Sequence, residues 1–289
     1  LTATVTVQSR AYDGTTDGTI GSCTVATPLF TDVVSCDTSG ATATFDTKHI
    51  GTAKSVTIAG LALAGADKGN YTLASGASSS ANITPRAIPV TATTGSKAYD
   101  GTTSSAGTPT ITTGSLATGD SVTWTQTYDT ANAGTGKTLT PAGSVTDGNA
   151  GADYAVTFVT ATGSITAVDL TATVTVNGRT YDGTTGATIA SCTLTGVVGT
   201  EEVTCDAADA TATFESPHAG SRSVSISGLA LTGADAGNYT LASNATASAT
   251  IATTSPHVTA KMLPKRNPWT EAFSPPRAES TTRPSARPR

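Results

Sequence analysis

A stretch of letters that returns twice restricts this chain more than any other feature. Tyr12-Asp13-Gly14-Thr15-Thr16 reappears as Tyr99-Asp100-Gly101-Thr102-Thr103 and again as Tyr181-Asp182-Gly183-Thr184-Thr185. Leu1 to Val7 recurs unchanged as Leu170 to Val176, and Gly69-Asn70-Tyr71-Thr72-Leu73 as Gly237 to Leu241. A period of roughly 85 residues is too long for one turn of a solenoid and suits a small independent domain. The boundaries that follow are 1–86, 87–167 and 168–252, with the first and third units near twins and the middle one divergent. Residues 253–289 stand outside the repeat.

Within each unit the periodicity is two. Thr2, Thr4 and Thr6 alternate with Ala3, Val5 and Val7, and similar short runs are separated by Asp-Gly, Ser-Gly and Gly-Ala-Asp turns. No stretch carries a capped apolar period of 3.6. About seven short strands per unit predict an all-β fold: three tandem immunoglobulin-like antiparallel β-sandwiches. Aromatics are only 5% of the chain and charged residues 13%. The core must therefore be built from small β-formers, with threonine tolerating both pleat and water outside.

Two sets of residues have a mechanical reading. In the Tyr-Asp-Gly-Thr-Thr segments, Asp13, Asp100 and Asp182 can each close an Asx-turn, and Gly14, Gly101 and Gly183 can take positive φ without a Cβ clash. Asp67 four residues before Tyr71, and Asp235 four before Tyr239, have the spacing of a tyrosine corner, with the ring in the sandwich and the hydroxyl on upstream backbone. Gly148-Asn149 and Asp153-Tyr154 replace that pattern in the middle unit, which leaves its corner geometry open. Calcium held by Asp13 and Asp17 is an alternative, although a dedicated calcium-loop spacing is lacking.

These segments, with the Ile83-Thr84-Pro85 close, resemble the YDG repeat family of large bacterial surface and secreted proteins, including filamentous-haemagglutinin-like adhesins and autotransporters. The resemblance covers nearly all of residues 1–252. It implies a stalk or adhesin module at the cell surface or in the medium, with neighbouring repeats as partners and no catalytic residues or cofactors. A host-surface receptor is the other partner that this reading admits.

Cys23 and Cys36 lie thirteen positions apart, as do Cys192 and Cys205, and the middle unit has no cysteine. Duplication favours the pairings Cys23–Cys36 and Cys192–Cys205, which require an oxidising compartment. Buried reduced thiols are the other reading, and zinc would need closer ligand pairs. His49 and His218 occupy equivalent loops and are expected to be solvated. Gly134-Thr-Gly136-Lys137-Thr138 lacks both the first glycine and the following helix of a phosphate loop. No nucleophile elbow or acid-base pair is found, so an enzyme is not expected.

Charge divides the chain: nine Lys and Arg against nineteen Asp and Glu up to Thr253, then seven against two. The second segment is rich in Pro and Arg and is expected to be a disordered tail. A body this acidic does not suit nucleic acid, and no apolar run reaches a membrane-spanning length. Starting at Leu1 without a leader, the chain reads as a piece of a longer polypeptide. A monomeric rod of stalk repeats is the expected role. The alternative is an adhesive module gripping a host glycan or protein through its loops; Trp124, the only Trp before the tail, is the candidate anchor, although its place on a strand favours a core role.

Overall fold

The computed structural model describes residues 1–242 and 245–255. From Pro256 onward, the expected disordered tail lies outside the described residues. Among those described the chain is almost wholly β, without an α-helix. Two 3-10 turns occur, Lys68–Asn70 and Ala236–Asn238.

Each repeat closes its own sheets. In the first, a five-stranded sheet runs in the order Arg10–Ala11, Ser78–Thr84, Gly51–Ala59, Thr42–Phe45, Asp17–Gly18. Facing it are two short ladders, Ala3–Val7 with Ile20–Val25 and Ser35–Asp37 with Ala62–Ala64. The third repeat copies this plan and adds one strand, Tyr239–Leu241, beside Val168–Val176. In the middle repeat the counterpart of the second ladder is continuous with the main sheet in one hairpin, Ser121–Tyr128 against Gly134–Thr146, while Arg86–Thr91, Thr110–Ile111 and Tyr154–Val159 form a separate sheet. Alternation puts Val5, Val7, Ala43, Phe45, Val56, Ile58, Ala81 and Ile83 inside, while the interleaved threonines and serines face water.

Two features depart from the expected plain antiparallel sandwiches. First, the sheets are mixed. Arg10–Ala11 runs parallel to the last strand of its repeat, as do Gly95–Ala98 and Arg179–Thr180 in theirs. Arg86–Thr91 likewise runs parallel to Tyr154–Val159, and Val168–Leu170 to Tyr239–Leu241. Parallel neighbours cannot be joined by a tight hairpin, and in every one of these pairs most of the repeat lies between the two strands. Second, the units share their cores. Strand pairing stops at every seam, yet the cluster holding Val5, Tyr12, Phe45 and Ile83 continues into Ile88, Val90, Trp124 and Tyr154. A second cluster joins Tyr99, Tyr128, Leu139 and Ile165 to Leu170 and Tyr239. The repeats are separate as ladders and continuous as side chains.

The two disulfides, Cys23–Cys36 and Cys192–Cys205, each span Cα atoms 5.8 Å apart. Each ties a strand of the first ladder to one of the second, two elements between which no backbone pairing runs. Crosslinks of this kind persist in oxidising surroundings and point to a protein outside the cytoplasm. Replacing Cys192 and Cys205 with Ser should cost the third repeat about 3 kcal/mol and leave the middle ladder unchanged. Native-state hydrogen exchange resolved by repeat measures both. Equal protection with and without the bond would contradict this role.

Candidate functional site

The Tyr-Asp-Gly segment is built from a parallel ladder and a cation. Tyr12 donates its backbone N–H to the carbonyl of Thr84 at 2.9 Å, Tyr99 to Thr166 at 2.8 Å and Tyr181 to Ala252 at 2.8 Å. Each tyrosine is thereby fixed to the residue that ends the last strand of its repeat. In the turn that follows, Asp13 Oδ1 accepts from the backbone N–H and the hydroxyl of Thr15, both at 2.9 Å, and Gly14 has φ of 86°. Asp100 with Thr102 and Asp182 with Thr184 repeat the arrangement. Two residues before each tyrosine lies a cation that the sequence reading passed over: Arg10, Lys97 or Arg179. It pairs with the Asp of the turn and lies over Phe45, Tyr128 or Phe214, respectively. The Lys97 ammonium, with Thr102, pulls the Asp100 carboxyl down to about 2. Asp13 is likewise engaged by Arg10 and Thr15, and among the described residues no cluster of three or more His, Cys, Asp or Glu is placed to hold a metal.

The corner tyrosines lie where the chain begins a repeat. Arg86 is in register with Tyr154 and Val168 with Tyr239, while the amino group of Leu1 reaches the carbonyl of Thr72 at 2.7 Å. Their hydroxyls bond upstream backbone, but far upstream, on the loop across the end of the sandwich. Tyr71 accepts from the N–H of Leu29 at 2.9 Å, Tyr154 from Ala117 at 2.8 Å and Tyr239 from Val198 at 2.9 Å. Each hydroxyl then donates to an acid three residues further along that loop: Asp32 at 2.8 Å, Asp120 at 2.7 Å and Glu201 at 2.5 Å. Asp67 and Asp235 do not touch their tyrosines' hydroxyls; they receive the backbone N–H of Val33 and Glu202. The middle repeat keeps the corner despite its altered letters. Its loop is held instead by buried Asp147, which accepts from Asn149, Gly151 and Asp153. Burial alone would raise the Asp147 carboxyl; those three N–H donors outweigh it and hold it below the ordinary range.

With one tyrosine at the end of each repeat and another at the start of the next, a linker of one residue, Pro85 or Ala167, forces them together. Rings of Tyr12 and Tyr154 meet edge to face at 5.4 Å, and so do those of Tyr99 and Tyr239. At the first seam both hydroxyls donate to one oxygen of Asp120, Tyr12 at 3.1 Å and Tyr154 at 2.7 Å. At the second, Glu201 takes Tyr99 on Oε1 and Tyr239 on Oε2. Asp120 is also approached by Lys48, whose Nζ lies 5.9 Å from the Tyr12 ring centroid. Gly14 presses on the next repeat, where an added Cβ would fall 2.9 Å from that of Ala117.

The residue before the corner tyrosine completes each seam. Fully buried Asp153 accepts from the N–H of Ile50 at 2.9 Å and faces Nδ1 of His49 at 2.6 Å. Asn238, also buried, accepts from Ala133 at 2.9 Å. The expectation of a solvated His49 is corrected in part: its loop lies at the trailing end of the first repeat, and the second repeat half-buries it, leaving the side chain 30% exposed. His218, at the same place in the third repeat, is exposed.

Burial first and then the shared carboxylate raise these phenols, Tyr154 to about 12 and Tyr12 and Tyr99 further. An unfolded chain releases phenolic protons near 10. Between there and about 12 the unfolded state binds fewer protons than the folded one, so stability falls as pH rises; below 10 the contribution is complete. Absorbance of tyrosinate should show these side chains ionising late and together with opening of the seams. Complete ionisation near pH 10 in the folded protein would contradict the geometry. Substituting Asp120 with Ala strips two hydroxyls of their acceptor and should cost about 1.5–3 kcal/mol in urea unfolding. Substituting Glu201 with Ala should cost as much, and the two losses should add.

Set beside known proteins, the chain matches the YDG domain family three times, over residues 1–80, 84–163 and 166–249. No curated protein matches it. Among solved structures it is similar to Drosophila N-cadherin EC1-4, with 10% identity, 86% of this chain and 73% of that one covered and a TM-score of 0.21. The three family matches take in both seams and every turn described above: the chain belongs to the YDG domain family, as three tandem copies.

Proposed function

We propose that the repeats serve as a structural spacer, a stalk segment of a bacterial cell-surface or secreted adhesin, and not as a catalyst. The observation that carries this reading is the seam. A one-residue linker leaves no slack, and buried tyrosines sharing a carboxylate resist bending there. Because each repeat takes in the chain at one end and releases it at the other, successive repeats stack end to end, and length grows with copy number. Such work needs stiffness and solubility, which the acidic, threonine-covered body supplies. The disulfides agree with export, while the adhesin and bacterial setting rest on the resemblance alone.

The alternative is a binding module that grips a host molecule through its loops, for which Trp124 supplies no exposed anchor. Trp124 is buried on its strand, edge-on to Phe158 at 5.8 Å, and is thus a core residue.

Small-angle scattering tests the spacer. The wild-type chain should give an elongated particle whose profile fits one rigid body. Replacing Tyr12 and Tyr99 with Ala should broaden the distance distribution through hinging at both seams, with near-unchanged far-UV circular dichroism. A wild-type profile that needs independently moving repeats would count against a load-transmitting role.

A further inference from the structure

The two seams share one plan and differ in charge. At the first, Lys48 and His49 of the first repeat meet Asp120 and Asp153 of the second, with buried Asp147 behind them. At the second, Ala131, Asn132 and Ala133 stand in place of Lys48, His49 and Ile50, and Asn238 in place of Asp153. One backbone donation crosses each seam at 2.9 Å, from Ile50 to Asp153 and from Ala133 to Asn238. Only the first seam adds an ionisable pair at that place, His49 with Asp153.

Asp153 is fully buried, and its two oxygens are unequally served. Oδ1 accepts from the N–H of Ile50 and from the side-chain amide of Asn149, both at 2.9 Å. Oδ2 faces Nδ1 of His49 at 2.6 Å. An imidazolium and a neutral ring protonated on Nδ1 can both donate this bond, so what protonation changes is the charge. A charge-assisted bond is about twice as strong as a neutral one, and exclusion of water strengthens it further. The partial exposure of His49 leaves its ring a route to solvent protons. Every other charged group nearby already has a partner. Lys48 lies 3.8 Å from Asp120, Asp46 and Lys54 pair on the His49 loop at 2.8 Å, and Arg86 reaches Ser115 at 3.0 Å. Tyr12 and Tyr154 donate to Asp120, while Asp147 receives the N–H of Asp153. Carboxyl groups ordinarily titrate near about 4 and phenols near about 10, and here Asp147 is held lower and both phenols higher. Imidazole is the side chain in this seam that changes charge between those limits.

We propose that the first seam is a pH-dependent lock, held more firmly when His49 is an imidazolium against Asp153, beside a second seam that does not respond over the same range. In the closed seam the ring faces a buried carboxylate; opening returns both to water. The closed form therefore binds the proton more tightly than the open one. Linkage gives the sign: the added stability is complete below about 6.5, where an imidazole in water is already protonated, and is lost as pH rises above it. The response is confined to one joint, so the chain loosens between its first and second repeats while the second and third stay joined. Seams equally stiff at every pH would leave the spacer reading in place and remove this lock, which rests on seam geometry alone.

Amide hydrogen exchange of the full chain tests it at the two N–H groups that cross the seams, Ile50 and Ala133. After correction for the intrinsic pH dependence of exchange, protection of Ile50 should fall about tenfold between pH values of roughly 5.5 and 8, the factor given by one pKa unit between closed and open states. Protection of Ala133 should stay constant. His49→Gln keeps a side-chain donor without the charge and should hold Ile50 at its high-pH protection throughout. Asp153→Asn removes the other charge and should also abolish the response. It copies the residue that the second seam already buries at this place, so the fold has a precedent for it. Parallel changes at Ile50 and Ala133 in the wild type, or a response at Ile50 that survives in either variant, would overturn the proposal.

Discussion

Two tyrosines from successive repeats donating to one carboxylate are the contact on which the rest of this structure depends. A buried carboxylate is costly unless its oxygens are bonded, and a buried phenol needs an acceptor. Bringing them together satisfies both demands at the one place where the chain has no room for a flexible linker. The edge-to-face rings add dispersion and keep water out, so each carboxylate bond forms in a medium where it is stronger than at the surface. Asp120 is almost wholly enclosed, its side chain 2% exposed. The seam is therefore closer to a core than to a hinge, and the apolar clusters cross it without a break.

Strand topology decides that this contact can form. The Tyr-Asp-Gly strand runs parallel to the last strand of its repeat, which puts its tyrosine beside the exit of the chain. The corner tyrosine pairs in parallel with the first strand of its repeat, or nearly so in the first, which puts it beside the arrival of the chain. Short linkers then bring exit and arrival together. Disulfides have a separate task inside the outer repeats, where the second sheet is broken into two ladders. The middle repeat has no disulfide, and its second ladder is instead anchored by continuing into the main sheet as one hairpin.

Much of this was legible in the sequence. Thrice-repeated letters marked the units, alternation marked the strands, and duplication of the cysteine spacing selected the disulfide partners. Tyr12 and Tyr99 were also visible, but as members of turns, because what they touch lies over a hundred positions away. Nothing local links Tyr12 to Asp120. The acids Asp32, Asp120 and Glu201 stand in loops with few letters in common, and their equivalence appears only through the tyrosine each one holds. One signal could have been read: a cation two residues before each Tyr-Asp-Gly, three times over, shows that the segment is braced beyond its own turn. His49 was misplaced for a related reason. A loop at the end of a domain is solvated only when no neighbour is fixed against it, and the one-residue linker fixes one.

Alignment of the protein in a dilute liquid-crystalline medium offers the most direct test, since residual dipolar couplings report orientation repeat by repeat. If the tyrosine–carboxylate contacts weld the chain into one body, a single alignment tensor will fit the backbone couplings of all three repeats. Three tensors of different magnitude, one for each repeat, would mean that the units move independently and that the contacts do not hold.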